Sequence, residues 1–192
     1  LRDISTPPAE FRALVKRLAT LLAAEATRDL ELCDSTATTP LAVTQTKVLV
    51  QRIALVPILR AGLGLVEPFL ELLPSAEVWH LGVYRNEATA QPVEYYQKLP
   101  QSDPVDIAFV VDPMLATGGS ATHTLALLKR WGVKRLKLVS LIAAPEGISA
   151  VSHAWPDVDI IVGAVDECLN DRKFIVPGLG DAGDRQFNTT HR

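Results

Sequence analysis

Five unbroken apolar residues, Ile107-Ala108-Phe109-Val110-Val111, run directly into Asp112-Pro113-Met114-Leu115-Ala116-Thr117-Gly118-Gly119-Ser120. An apolar run without polar alternation suits a strand buried on both faces, as in a parallel sheet covered by helices. Ala121 to Trp131 then has helical spacing, so the unit reads strand, loop, helix. The same order recurs on either side. Ile53 to Leu59, Val78 to Tyr84, Leu136 to Ala143 and Val158 to Val165 read as further strands, and Leu65 to Leu73 and Glu146 to Trp155 as helices. This alternation predicts an α/β fold with a Rossmann-like parallel sheet flanked by helices. Ahead of it, Phe11, Leu14, Val15, Leu18, Leu21 and Leu22 recur at three and four residues, predicting a helix to about Leu30 with Ser5 or Thr6 as N-cap. Thr36 to Lys47 is threonine-rich, contains Pro40, and reads as loop or short edge strands without chemistry. The polar segment Arg85 to Val93 reads as a projecting hairpin. No repeat or linker divides the 192 residues, so 1–192 is expected to form one domain.

Composition narrows the function. Nineteen Lys and Arg against 22 Asp and Glu give a net charge of -3, which counts against a nucleic-acid binder. Cys33 and Cys168 lack metal or redox spacing and are expected as buried apolar groups in a reducing, cytoplasmic setting. His80, His123, His153 and His191 have no ligand spacing, and no metal site is expected from the protein's own side chains. The longest uncharged apolar stretch, Ile53 to Leu59, is too short to span a membrane. The start at Leu1 reads as an incomplete N-terminus.

In an open parallel sheet, ligands bind beyond the carboxyl ends of the strands, which directs attention to three loops. Thr117-Gly118-Gly119-Ser120 opens a helix, so its backbone N–H groups and the helix dipole suit a phosphate, with Asp112 poised beside whatever the phosphate carries. An ordinary N-cap turn is the competing reading. Arg60-Ala61-Gly62-Leu63-Gly64 pairs a guanidinium with a small-residue turn, again suited to phosphate oxygens, or else a simple turn with a solvated arginine. Phe174 to Arg185 holds three glycines and a proline, leaving little room for regular structure. It is too apolar for a purely solvated loop and could offer main-chain groups to a flat polar ligand.

The strings VPILRAGLG (56–64), YRNE (84–87), YYQKL (95–99), VDPMLATGGS (111–120), AAPEGI (143–148) and IVPGLGDAGDR (175–185) together resemble the uracil phosphoribosyltransferases, members of the type I phosphoribosyltransferase family. The match keeps its order from about Asp3 to Phe187. The resemblance implies the type I fold with a projecting hairpin and a C-terminal base-binding loop. It also implies transfer of the phosphoribosyl group of phosphoribosyl pyrophosphate (PRPP) to uracil, giving UMP and pyrophosphate.

On this resemblance, Asp112, Arg60, Arg85 and Asp181 form the catalytic set. PRPP is held by Arg60, Arg85, Asp112, Pro113, Met114, Leu115, Ala116, Thr117, Gly118, Gly119, Ser120 and Asp181. Uracil is read by main-chain groups around Ile175, Gly180, Asp181 and Ala182. Magnesium enters mainly on PRPP oxygens. A homodimer or homotetramer is implied, with GTP as an activator in some relatives. Two rivals stay open: a nucleotide-sensing regulatory protein on the same fold, and a phosphoribosyltransferase for orotate or a purine.

Overall fold

Ile53–Leu59 and Ile107–Val111 lie side by side, parallel, at the centre of the sheet, with Leu55 opposite Phe109 and Val56 opposite Val110. They are β3 and β7 of a computed structural model that describes residues 1–85, 92–97 and 103–189, of which 83–85 and 92–97 are described by backbone alone. The preceding elements are α1 (Pro8–Ala26), β1 (Leu32–Thr38) and β2 (Val43–Leu49). Between the two central strands come α2 (Leu63–Leu72), β4 (Glu77–Val78), β5 (Leu81–Arg85) and β6 (Pro92–Gln97). After β7 follow β8 (Met114–Leu115), α3 (Gly119–Trp131), β9 (Arg135–Ala143), α4 (Pro145–Ala154), β10 (Asp159–Val165), β11 (Cys168–Leu169), β12 (Ile175–Val176) and α5 (Ala182–Phe187).

The sheet order is β10-β9-β7-β3-β5-β6, with β4 beside β3 and β8 beside β9. The first five are parallel, and β6 returns antiparallel to β5 as a hairpin. Because the chain goes from β3 outward to β5 and later comes back to β7 on the other side, the strand order reverses between β3 and β7. A crevice therefore opens beyond their carboxyl ends, where the expected loops lie.

Side chains alternate across this sheet as a period of two requires. Ile53, Leu55, Phe109 and Val111 pack with Phe11, Val15, Leu65 and Phe69 of α1 and α2. Ala54, Val56, Ala108 and Val110 pack with Leu125 and Leu128 of α3 and Val151 of α4. Burying each large side chain contributes about 1.5–3 kcal/mol, so both faces of the central strands anchor the layers. Phe69 and Phe109 meet at 5.7 Å between ring centroids.

Several local expectations are corrected. The N-cap of α1 is Pro7, in extended conformation, because the Ser5 hydroxyl and amide are both spent on Asp3 Oδ1 at 2.7 and 2.8 Å. The helix ends at Ala26, short of Leu30, where the Thr27 hydroxyl donates back to the Ala23 carbonyl at 2.8 Å. Residues 32–49 form two antiparallel seven-residue strands in a sheet of their own, joined through the Thr39-Pro40-Leu41-Ala42 turn. Cross-strand pairs such as Ser35 with Thr46, and an ion pair from Lys47 to Asp34 at 2.6 Å, hold that ribbon. Val78 to Tyr84 is two strands, because β4 pairs with the first half of β3 and β5 with its last residues. Cys33 and Cys168 are exposed, since both sit on two-stranded ribbons outside the core.

Candidate active site

The loop after β7 stays attached to the sheet. Asp112 N–H donates to the Val139 carbonyl at 3.1 Å, and the Pro113 carbonyl accepts from Leu141 and Ile142. The chain then runs as β8 beside β9 before Gly118, at φ +79°, turns it into α3. That backbone conformation is strained for a side-chain-bearing residue, and a Cβ here would stand 3.0 Å from the Gly147 carbonyl. Asp112 and residues 114–121 line a cavity of about 120 Å³ without a lysine or arginine among them. The attraction for an anion there comes from the first N–H groups of a 13-residue helix.

Asp112 is packed closely enough that desolvation, the largest influence, pushes its carboxyl pKa up to about 7. A weak bond from Met114 N–H opposes this, and the Asp181 carboxylate adds to it. The two carboxylates, from loops 69 positions apart in the chain, thus face one cleft. A carboxyl poised near neutrality in a cleft is a functional-site indicator with a stated physical cause.

The loop after β3 points at the same place. Arg60 is half-exposed, and its guanidinium donates to Asp184 Oδ1 at 3.0 Å and to Thr189 Oγ1 at 3.2 Å. Gln186, buried, donates to the Ala61 carbonyl at 3.0 Å, so α5 is fastened to the arginine loop twice.

The glycine-rich C-terminal segment is more regular than expected. Ile175 and Val176 pair with Cys168 and Leu169 as a small ribbon, and Asp181 caps α5 by accepting from Asp184 N–H at 2.9 Å. Ile175 and Ala182 are buried, whereas Gly180 and Asp181 are exposed. Gly178, at φ +62°, allows that turn; a Cβ would meet the Ile175 carbonyl at 2.1 Å.

The fold therefore brings Arg60, Asp112 to Ser120 and the 175–182 segment to one crevice. Arg85 closes β5, on the other flank of β3; its side chain and residues 86–91 lie outside the described residues. Lys98 also lies outside them. Sequence reasoning missed Asp184, Thr189 and Gln186, whose partners are remote in the chain, and Asp166. The last had a signal: Val165-Asp166 ends an apolar run as Val111-Asp112 does. Among the described residues no cluster of three His, Cys, Asp or Glu could cage a metal, and no helix is long and apolar enough to cross a membrane.

The comparisons with known proteins converge. The family model described as uracil phosphoribosyltransferase matches residues 1–189. A uracil phosphoribosyltransferase of Roseiflexus sp. (strain RS-1) is 54% identical over 189 residues, covering 98% of this chain and 91% of that one. One from Clostridium perfringens (strain SM101) is 53% identical over 190 residues, with the same coverage. A solved structure of a protein from Aquifex aeolicus superposes with a TM-score of 0.94 at 38% identity, over 100% of this chain and 92% of that one. A hypoxanthine phosphoribosyltransferase from Staphylococcus aureus, at 14% identity and a TM-score of 0.52 over 83% of this chain and 76% of that one, shares the fold.

Proposed function

Because the chain belongs to the uracil phosphoribosyltransferase family, a family of pentosyltransferases, we propose that the crevice over β3 and β7 transfers the phosphoribosyl group of PRPP to uracil. The observation that carries this reading is the position of Asp112 at the mouth of the Thr117–Ser120 cradle, with Asp181 of the glycine-rich segment beside it. The phosphate of PRPP sits on the N–H groups of residues 117–120, and Asp112 accepts hydrogen bonds from the ribose hydroxyls. Arg60 and Arg85 bind the pyrophosphate. Uracil lies against main-chain groups of Ile175, Gly180, Asp181 and Ala182, where N–H and C=O groups match its O2, N3–H and O4 without a charged side chain.

The bond from the anomeric carbon to pyrophosphate breaks as the bond to uracil N1 forms, and the proton that N1 loses goes to the departing pyrophosphate and solvent. Positive charge gathers on the ribose in an oxocarbenium-like transition state, and negative charge on the leaving group. Fixed donors aimed at that developing charge lower the barrier. The Arg60 guanidinium suits this role because it is half-exposed and has five N–H donors. Magnesium would be carried mainly by the pyrophosphate and ribose oxygens of PRPP, as suits a hard cation that keeps several of its waters. Magnesium, when bound, supplies neutralisation of the pyrophosphate charge.

The rival base specificities lose support from the same segment, since orotate calls for a cation facing its carboxylate. A homodimer or homotetramer is part of the proposal. The β1–β2 ribbon exposes Leu32, Val43, Val48 and Leu49, and a two-stranded ribbon is marginal on its own in water. Exposed, unpaired cysteines suit a reducing cytoplasmic compartment. The test is direct: purified protein with magnesium, PRPP and uracil should release pyrophosphate and form UMP, and the same assay with added GTP reads activation. Absence of uracil-dependent UMP would overturn the reading.

A further inference from the structure

Both hydrogen-bonding groups of Gly178 are held from outside the glycine-rich segment. Its N–H donates to Asp166 Oδ2 at 2.9 Å, and its carbonyl accepts from Arg2 Nη1 at 2.8 Å. Arg2 and Asp166 are themselves joined as a fork, Nη1 to Oδ2 at 2.7 Å and Nη2 to Oδ1 at 2.5 Å. Asp166 is fixed by the sheet, since its N–H continues the β10–β9 ladder to the Ala143 carbonyl at 2.8 Å. Its side chain is 4% exposed and that of Arg2 43%. The neighbouring carbonyl of Leu179 accepts from Arg185 Nη1 at 2.8 Å, and the same nitrogen reaches the Leu1 carbonyl.

We propose that the Arg2–Asp166 pair is a positioning device for the base-reading segment, setting where Gly180, Asp181 and Ala182 stand in the crevice. The inference rests on the reading of residues 175–182 as the uracil site. A site that reads its ligand through main-chain groups has no side chain that can re-aim, so the place of the backbone decides the fit. Gly178 lies two residues before the exposed edge of that site, in a left-handed conformation that the clamp fixes on both sides. Bidentate arginine–carboxylate geometry fixes direction as well as distance. Neither residue lines the cradle of residues 114–121, so the phosphate site does not touch the pair and shares with the clamped segment only Asp181.

The experiment compares Arg2→Gln and Arg2→Lys with the parent protein, measuring KM for uracil, KM for PRPP, kcat and Tm. Losing one charge-assisted hydrogen bond predicts a rise in uracil KM of about tenfold for Arg2→Gln. PRPP KM and kcat should change clearly less than uracil KM, because of the groups that hold PRPP only Asp181 stands on the clamped segment. Arg2→Lys keeps the charge without the fork and should fall between. Asp166→Asn, which keeps the shape but puts an amide against the guanidinium, should raise uracil KM further in protein whose melting confirms folding. A lowered Tm with uracil KM unchanged would show a merely structural tie, and parallel rises in both KM values would show a general loosening; each overturns the clamp. A parent protein that makes no UMP overturns the underlying reading instead, whatever the variants do.

Discussion

Arg60 donates from Nη2 to Asp184 Oδ1 at 3.0 Å, and this ion pair bridges 124 positions of sequence to join the loop after β3 to the helix that follows the glycine-rich segment. The contact ties the candidate pyrophosphate arginine to α5, the helix that begins directly after the candidate base-reading residues. It is half-exposed on the arginine side, so screening by solvent leaves it little to add to stability.

Arg60→Ala is accordingly expected to lower kcat/KM for PRPP by about tenfold or more, the loss of at least one charge-assisted hydrogen bond to an anion, while Tm changes little. Steady-state pyrophosphate release and a thermal melt read the two quantities. An Ala variant with parent kinetics would remove Arg60 from the pyrophosphate site.

Asp112 gives a pH prediction with a definite sign. Its folded pKa, raised from 3.8 to about 7 chiefly by desolvation, means that the native state holds a proton that the unfolded chain has lost. Between these two values stability from this group falls as pH rises, and above about pH 7 the destabilisation is complete. Asp112→Asn should therefore melt higher than the parent at pH 8 but not at pH 4, although its activity is largely lost. If the ionised carboxylate is the form that accepts the ribose hydroxyls, PRPP binding at pH 6.5 should release protons, seen by calorimetry in buffers of different ionisation enthalpy, and the Asn variant should release fewer.

Uracil should be preferred over cytosine by about 10⁴ in kcat/KM, because an exchanged donor and acceptor leave buried groups facing like partners. Competing the two bases for one PRPP pool measures the ratio. Comparable use of both would defeat main-chain readout by Ile175, Gly180, Asp181 and Ala182.

Gly118→Ala should cost about 1–2 kcal/mol for forcing the left-handed conformation on alanine, plus the cost of moving the Gly147 carbonyl, 3.0 Å from the new Cβ. Because the cradle itself would shift, PRPP affinity should fall further than stability accounts for. Urea unfolding and PRPP titration, run side by side, separate the two losses.

The central layers were legible because burial on both sides forces unbroken apolar runs: Ile53–Leu59 and Ile107–Val111 have the expected bounds. The crevice was legible too, since Asp112 and Arg60 follow those runs directly. The ribbon of residues 32–49 was legible only as a choice between loop and short edge strands, because nothing in its threonine-rich sequence is buried strongly enough to impose a pattern; its order comes from cross-strand pairing. Arg2, Asp166 and Asp184 escaped notice for another reason. Each acts through a partner far away in the chain, and a distant pairing leaves no local spacing to read, although for Asp166 its place at the end of an apolar run was a sign of its own.

The ties of the glycine-rich segment to the first residues span 176 to 184 positions: Arg2 to Gly178, Arg185 to Asp3 and Arg185 to Leu1. Such separations impose an order of assembly, because contacts distant in sequence carry the largest loop-closure cost and are slow to form. The phosphate cradle, by contrast, is a turn between a strand and the helix next to it. A refolding chain is thus expected to acquire affinity for PRPP before affinity for uracil, and a chain beginning to unfold to lose them in the reverse order, so that base recognition reports on whether residues 1–3 have met the 178–185 segment.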